Sequence, residues 1–311
     1  MPTRRELLSM MAAGIAAATA LPAIGAQPAD RHRRRVHLFS KHLQWLEYEP
    51  MAETAAGIGF DGIDLTVRPK GHVLPENVER DLPRAVAAIR GAGLRVDRIT
   101  TAVTDPDDPL TARILETAGA LGIGIYRMGW LKYDRQRPLP GQLDAFRVRM
   151  DKLARLNERY GIHGAYQNHV GTGVGSPVWD AWLLVKDQDP RWLGIRYDVR
   201  HAMAEGIESW ELGLQLVAPH VRSLDIKDFR WIEQAGEWTV ESVPLGAGAV
   251  RFPFFFDLLE KWGVDADMTL HLEYPLGGAD KGERDLTVPA GRVIGAMRQD
   301  LAFLRDAASD T

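Results

Sequence analysis

Arg196-Tyr-Asp-Val-Arg-His201 and Ser223-Leu-Asp-Ile-Lys-Asp228 decide the fold. Each begins as a short strand-like run whose alternate residues differ in kind: Arg196 and Asp198 share one face against Tyr197, and Ser223, Asp225 and Lys227 share one face against Leu224 and Ile226. Ala165-Tyr-Gln-Asn-His169 before them and Leu270-His-Leu-Glu-Tyr274 after them repeat the pattern, with Gln167/His169 and His271/Glu273 as the polar sets. A parallel strand buried on both faces should be apolar on both. Four polar departures at strand C-terminal ends therefore point to one shared site.

Working outward, strand patterns fall near residues 36–40, 62–67, 94–101, 123–130, 162–168, 193–198, 221–227 and 268–274. Helical patterns fall between and after them, near 50–57, 77–91, 109–121, 140–160, 176–187, 202–217, 252–262 and 285–306. Eight strands alternating with eight helices predict an α/β fold, a single (β/α)8 TIM barrel over residues 36–306, with 307–311 as a tail. The site is then expected at the C-terminal ends of the strands. The longest irregular stretch, 228–251, reads as a functional loop or lid.

The 311 residues, 45% hydrophobic and 26% charged, can bury a large single core. Arg4-Arg5 followed by Glu6-Leu7-Leu8, an apolar run from Met10 to Ile24 and Gly25-Ala26 read as a cleaved export signal of the twin-arginine type over residues 1–26, placing the mature protein in the periplasm or otherwise outside the cytoplasm. The apolar run is short for a membrane span, which needs about 20 residues, so no stable membrane insertion is expected. Residues 27–35 form a basic leader. Removing 1–26 makes the chain one unit more negative than its formal −4, so no basic surface for nucleic acid emerges. Cysteine is absent, which excludes disulfides and thiolate chemistry.

Asp198, Asp225 and Glu273 offer carboxylate oxygens, and Gln167 an amide oxygen, from strands five to eight. Like charges converging on one pocket repel unless a cation or protons neutralise them. A divalent metal is the economical answer: Mn²⁺ or Mg²⁺ suits an oxygen set, with Co²⁺, Fe²⁺ or Zn²⁺ as alternatives if His201 or His271 adds a nitrogen. The competing expectation is a salt-bridge network in which the acids pair with Lys227, Arg196 and Arg200. His201, Lys227, His169 and Glu273 are the candidate catalytic groups. Lys41, Arg68, His72 and Arg127 fall at the ends of early strands and, with Asn168, Arg200 and Trp130, are candidates for lining the mouth and meeting a sugar.

At these residues the chain resembles the sugar phosphate isomerase/epimerase family of xylose-isomerase-like barrels, which includes keto-sugar 3-epimerases, inosose dehydratases and hydroxypyruvate isomerases. The resemblance rests on Asp198-Val-Arg-His201, Ile226-Lys-Asp228 and Glu273 in Leu-His-Leu-Glu-Tyr, and covers roughly residues 36–306. It implies a divalent metal held by a strand-five Glu, the strand-six Asp, a strand-seven His and the strand-eight Glu. Here those positions are Gln167, Asp198, Asp225 and Glu273. Family epimerases use the two glutamates as opposed acid and base, and Gln167 cannot take a proton. The resulting expectation is an exported, metal-dependent enzyme abstracting a proton α to a sugar carbonyl. Lyase or hydratase chemistry on a keto-sugar or keto-glycoside comes first, with an isomerase or epimerase as the alternative and a non-catalytic periplasmic sugar-binding protein as the second. The partner is a small-molecule sugar, and homo-oligomerisation is left open.

Overall fold

The computed structural model describes residues 33–309. The export signal expected over 1–26, most of the basic leader and the last two residues lie outside that range. Eight strands close into a parallel barrel: β1 (Val36–Phe39), β2 (Gly62–Val67), β3 (Arg95–Thr101), β4 (Ile125–Arg127), β5 (His163–Gln167), β6 (Leu193–Asp198), β7 (Val221–Ile226) and β10 (Met268–Leu270). Neighbours around the ring follow chain order, with β10 closing onto β1 through Val36↔Met268 and Leu38↔Leu270. Helices connect the strands, and the last, Ala290–Ser309, runs past residue 306 into the stretch expected to be a tail. The helix expected over 202–217 is two pieces, Val199–Gly206 and Trp210–Val217, separated where Ile207 takes a positive φ of 47°. Among the described residues no helix is long and apolar enough to cross a membrane.

The alternation read from sequence sorts the side chains. Tyr166, Tyr197, Leu224 and Ile226 are fully buried among the helices of the outer ring. Tyr166 is held there by its hydroxyl, which accepts from Leu131 N at 3.0 Å and donates to Val174 O at 3.0 Å. The opposite parity fills the barrel interior with charged and polar groups rather than the bulky branched side chains that commonly pack barrels. Across the interior Arg196 reaches Asp64 at 2.6 Å and Asp225 at 2.5 Å. Thr100 and Thr269 add hydroxyl bonds to Asp64 at 2.9 and 3.3 Å.

The stretch expected to be irregular, 228–251, begins with an antiparallel hairpin, β8 (Asp228–Gln234) and β9 (Glu237–Val243). Its turn is Ala235-Gly236, both at positive φ. Asp228 pins the hairpin base by accepting four backbone N–H bonds, from Phe229, Gly246, Gly248 and Val250, at 2.8 to 3.1 Å. Residue 248 has to be glycine, because a Cβ there would collide with the Asp228 carboxylate and the Phe229 carbonyl.

Candidate active site at the barrel mouth

Each strand end delivers its polar residue to one place. Lys227, immediately after β7, is buried, and its Nζ lies 3.0 Å from Asp198 Oδ2, 2.9 Å from Glu273 Oε2 and 2.9 Å from His201 Nε2. Burial opposes the lysine charge, but the carboxylates of Asp198, Glu273 and Asp225 outweigh it and hold the ammonium above the ordinary lysine range. Glu273 also meets Lys41 at 2.9 Å. Despite burial, Lys227 and Lys41 keep its carboxyl well below the usual carboxylate range. Burial and Asp225 push Asp198 upward, only partly offset by Lys227.

Asp198 also starts the helix after β6, its Oδ1 accepting from His201 N at 3.1 Å, which fixes His201 beside it. His201 is held neutral by burial and by the cations Lys227 and Arg200. Arg200 Nη1 stands 2.8 Å from His201 Nδ1. A neutral imidazole has one acceptor nitrogen, so the ring accepts from only one of these two cations. His169 packs 4.0 Å from the His201 ring and 4.6 Å from that of Trp130. Its Nδ1 donates to the Val170 carbonyl at 2.9 Å, which leaves Nε2 with the lone pair. Burial and Lys227 keep the ring neutral.

Gln167 is turned away from the role expected of it. Its Nε2 donates to Asp198 Oδ2 at 2.9 Å and Asp225 Oδ2 at 2.6 Å, while Oε1 accepts from Arg127 Nη1 at 3.1 Å. Asp225 is held as a carboxylate, against burial, by Arg196 and His271. The four oxygen donors expected to share a metal are therefore brought together, but each is already engaged: Asp198 and Glu273 by Lys227, Asp225 by Arg196, and Gln167 by Arg127. Among the described residues no group of three or more His, Asp or Glu side chains is arranged to hold a metal ion. As placed, the set does not fit a divalent ion, because the ammonium of Lys227 stands between its two principal acids.

The mouth opens into a cavity of about 70 Å³ lined by Lys41, Arg68, Arg127, Trp130, His169 and Glu273, with Phe39, Gln167, Lys227 and His271 completing the wall. Three expected rim residues, His72, Asn168 and Arg200, do not line it. His72 bonds Thr66 Oγ1 at 3.2 Å and the Leu43 carbonyl at 3.3 Å, a buried pocket that holds its pKa down at about 4. Asn168 clamps the Asp198 backbone, donating to its carbonyl at 3.0 Å and accepting from its N–H at 2.8 Å. Arg200 lies behind His201 over the Phe229 ring. Sequence reasoning missed Asp64 and Phe39. A lone acid inside the apolar run Gly62-Ile-Asp-Leu-Thr-Val67 was the signal for the first. Phe39, which stacks on His271 and carries Lys41 and Arg68 over its ring, had none.

The family model for xylose isomerase-like TIM barrels matches residues 52–307, and the chain belongs to that family. No curated protein matches the sequence. Among solved structures, D-psicose 3-epimerase from Clostridium cellulolyticum H10, solved with D-tagatose, is similar with a TM-score of 0.65 at 12% identity, covering 88% of this chain and 99% of its own. 3-Keto-D-glucoside 4-epimerase from E. coli, in its apo form, gives 0.63 at 15% identity, with 88% and 99% covered. A protein named IOLI, solved with a zinc atom, gives 0.66 at 17%, with 89% and 98% covered. At these identities the likeness establishes the common fold.

Proposed function

We propose that the chain is a carbohydrate isomerase or epimerase that moves a proton at the carbon next to a sugar carbonyl. The epimerase activities named for two similar structures support this reading over the lyase or hydratase expectation. The observation that carries it is the pairing, in one pocket, of a neutral His169 with a free Nε2 and a buried Lys227 whose ammonium is stabilised by the acids around it. His169 Nε2 takes the α-proton. Lys227 donates a hydrogen bond to the carbonyl oxygen as negative charge develops there, in a dry setting where such a contact is strong. Gln167 cannot exchange protons, so the second face falls to Glu273, three strands around the ring from His169. Lys41 and Lys227 make its carboxylate a weak base, and Lys227 itself can return a proton there.

The zinc of one similar structure supports a divalent ion as a further ligand of such a mouth. In this chain it would have to displace Lys227, and no step above depends on it. We read residues 1–26 as an export signal, which would make the substrate a sugar met outside the cytoplasm.

The test is wash-in of deuterium from D₂O at the carbon next to the carbonyl, followed by proton NMR on ketohexoses, ketopentoses and 3-keto-glucosides. Exchange is expected with the wild type and should fall about 10²- to 10⁴-fold in His169→Gln and Lys227→Met. Absence of exchange with every sugar of the panel would overturn the reading.

A further inference from the structure

The cations of the mouth are not evenly distributed. Lys41, Arg68 and Arg127 follow or end β1, β2 and β4, one arc of the ring, while His169, Lys227 and Glu273 come from β5, β7 and β10, the other arc. Lys41 and Lys227 are both paired with Glu273. The two arginines have no such partner. Arg127 is 4% exposed; its Nη1 meets the Gln167 amide oxygen, its Nη2 the Thr101 carbonyl at 3.0 Å, and its Nε is buried without a partner. Trp130 covers its guanidinium at 4.2 Å. Arg68 lies over the Phe39 ring at 5.4 Å and makes no hydrogen bond or ion pair through its guanidinium among the described residues.

Arg196 is shared by Asp64 and Asp225, and Lys227 and Lys41 answer Asp198 and Glu273. With Arg68 and Arg127 the cluster holds five cations against four carboxylates. An uncompensated buried charge is costly, and a guanidinium with free donors suits a carboxylate or phosphate. Burial, Arg68 and Arg196 lower the Arg127 pKa to about 9, which still leaves it charged at neutral pH.

We infer that the substrate is an acidic sugar, whose carboxylate or phosphate docks on Arg68 and Arg127 while its carbonyl faces Lys227 and His169. This rests on the isomerase or epimerase reading and deepens it. The two arcs are then a binding half and a reacting half, and the anion fixes which carbon reaches the reacting half.

Titration calorimetry with D-fructuronate, D-fructose 6-phosphate and D-fructose tests this, because the three differ only at the sixth carbon. One of the two acidic sugars is expected to bind about 100-fold more tightly than D-fructose, and which one it is distinguishes carboxylate from phosphate. The preference should weaken with added salt and fall to within about threefold in Arg68→Gln and Arg127→Gln. Arg127 is buried and its variant is at risk of misfolding; half-buried Arg68 gives the decisive variant. Equal affinity for all three sugars, a preference unchanged in Arg68→Gln, or no binding of either acidic sugar would overturn the inference. Deuterium exchange on neutral sugars alongside such a result would leave the isomerase or epimerase reading standing. Loss of both binding and exchange would remove both.

Discussion

The two ends of the barrel interior both carry buried charge, and they treat it differently. At the lower end Arg98 reaches Asp97 at 3.3 Å, Asp267 at 3.4 Å and Ser223 Oγ at 3.1 Å, His37 stands 3.0 Å from Asp97, and the Arg35 backbone donates to Asp267 at 2.9 Å. Each acid there faces a cation supplied by the same end, the further arginines, Arg35 and Arg95, reach solvent, and no buried cation is left over. At the mouth the acids are answered too, by Arg196, Lys227 and Lys41, yet two arginines are left over. A closed cluster serves the fold. A cluster with unanswered donors is built for something that is not part of the chain.

The strongest way to break that comparison is to remove the one cation that two of the mouth's acids share. Arg196 crosses the barrel between Asp64 and Asp225, all three buried. Arg196→Met should cost about 3–5 kcal/mol, because it leaves two carboxylates without their cation. Urea unfolding measures the loss, and adding Asp64→Asn should recover part of it. A loss under about 1 kcal/mol would mean that the acids find protons or other partners cheaply, and that the charge balance of the interior is slack.

A pH experiment asks which end is sensitive to acid. His163, at the start of β5 in the lower half, donates from Nδ1 to the Arg191 carbonyl at 3.0 Å, with Nε2 buried and unpartnered, and burial holds its pKa at about 4. Above pH 6.5 the ring is neutral folded and unfolded, so its contribution is fully present. As pH falls below 6.5 the unfolded chain binds a proton that the folded ring refuses, and stability drains until about pH 4. The shift corresponds to about 3 kcal/mol. Unfolding at pH 7 and pH 4.5 should show a correspondingly smaller acid loss in His163→Asn than in the wild type. Equal losses would move the sensitivity to another buried histidine, such as His72 in its pocket against Thr66 and Leu43, whose pKa is also about 4.

The same contrast marks what was legible in the sequence. Residue parity is local, so the eight strands, their order and the inward set Gln167, Asp198, Asp225, Lys227 and Glu273 could be read from the chain. Strand ends were less legible: 123–130 contracts to Ile125–Arg127 and 268–274 to Met268–Leu270, because residues at the mouth leave the ladder while keeping their direction. The hairpin was hidden because its alternation, Phe229 and Trp231 against Trp238 and Val240, sits in a polar stretch exposed to solvent, and its turn signal is a single Ala235-Gly236 pair. Charge partners were not legible at all. That Arg196 takes Asp64 from across the barrel, and that Lys227 stands where a metal was expected, depend on strands more than a hundred residues apart or on side-chain reach within the pocket.

The smallest expected effect sharpens the comparison most cleanly. Arg98→Met removes the centre of the lower cluster, but Asp97 is about a quarter exposed and keeps His37 and Arg95, and Asp267 keeps Arg35. The acids are re-answered by neighbouring cations and by water, so the cost should be about 2 kcal/mol, below that of Arg196→Met, whose acids are fully buried and pair with no other arginine or lysine. Because the lower cluster contributes nothing to the mouth cavity, deuterium exchange at saturating sugar should stay within about twofold of the wild type. A variant that unfolds as readily as Arg196→Met would show that the lower end is as tightly balanced as the upper. One that keeps its stability but loses exchange would show that charge at the two ends is coupled through the interior, and the division between a structural end and a reactive end would fail.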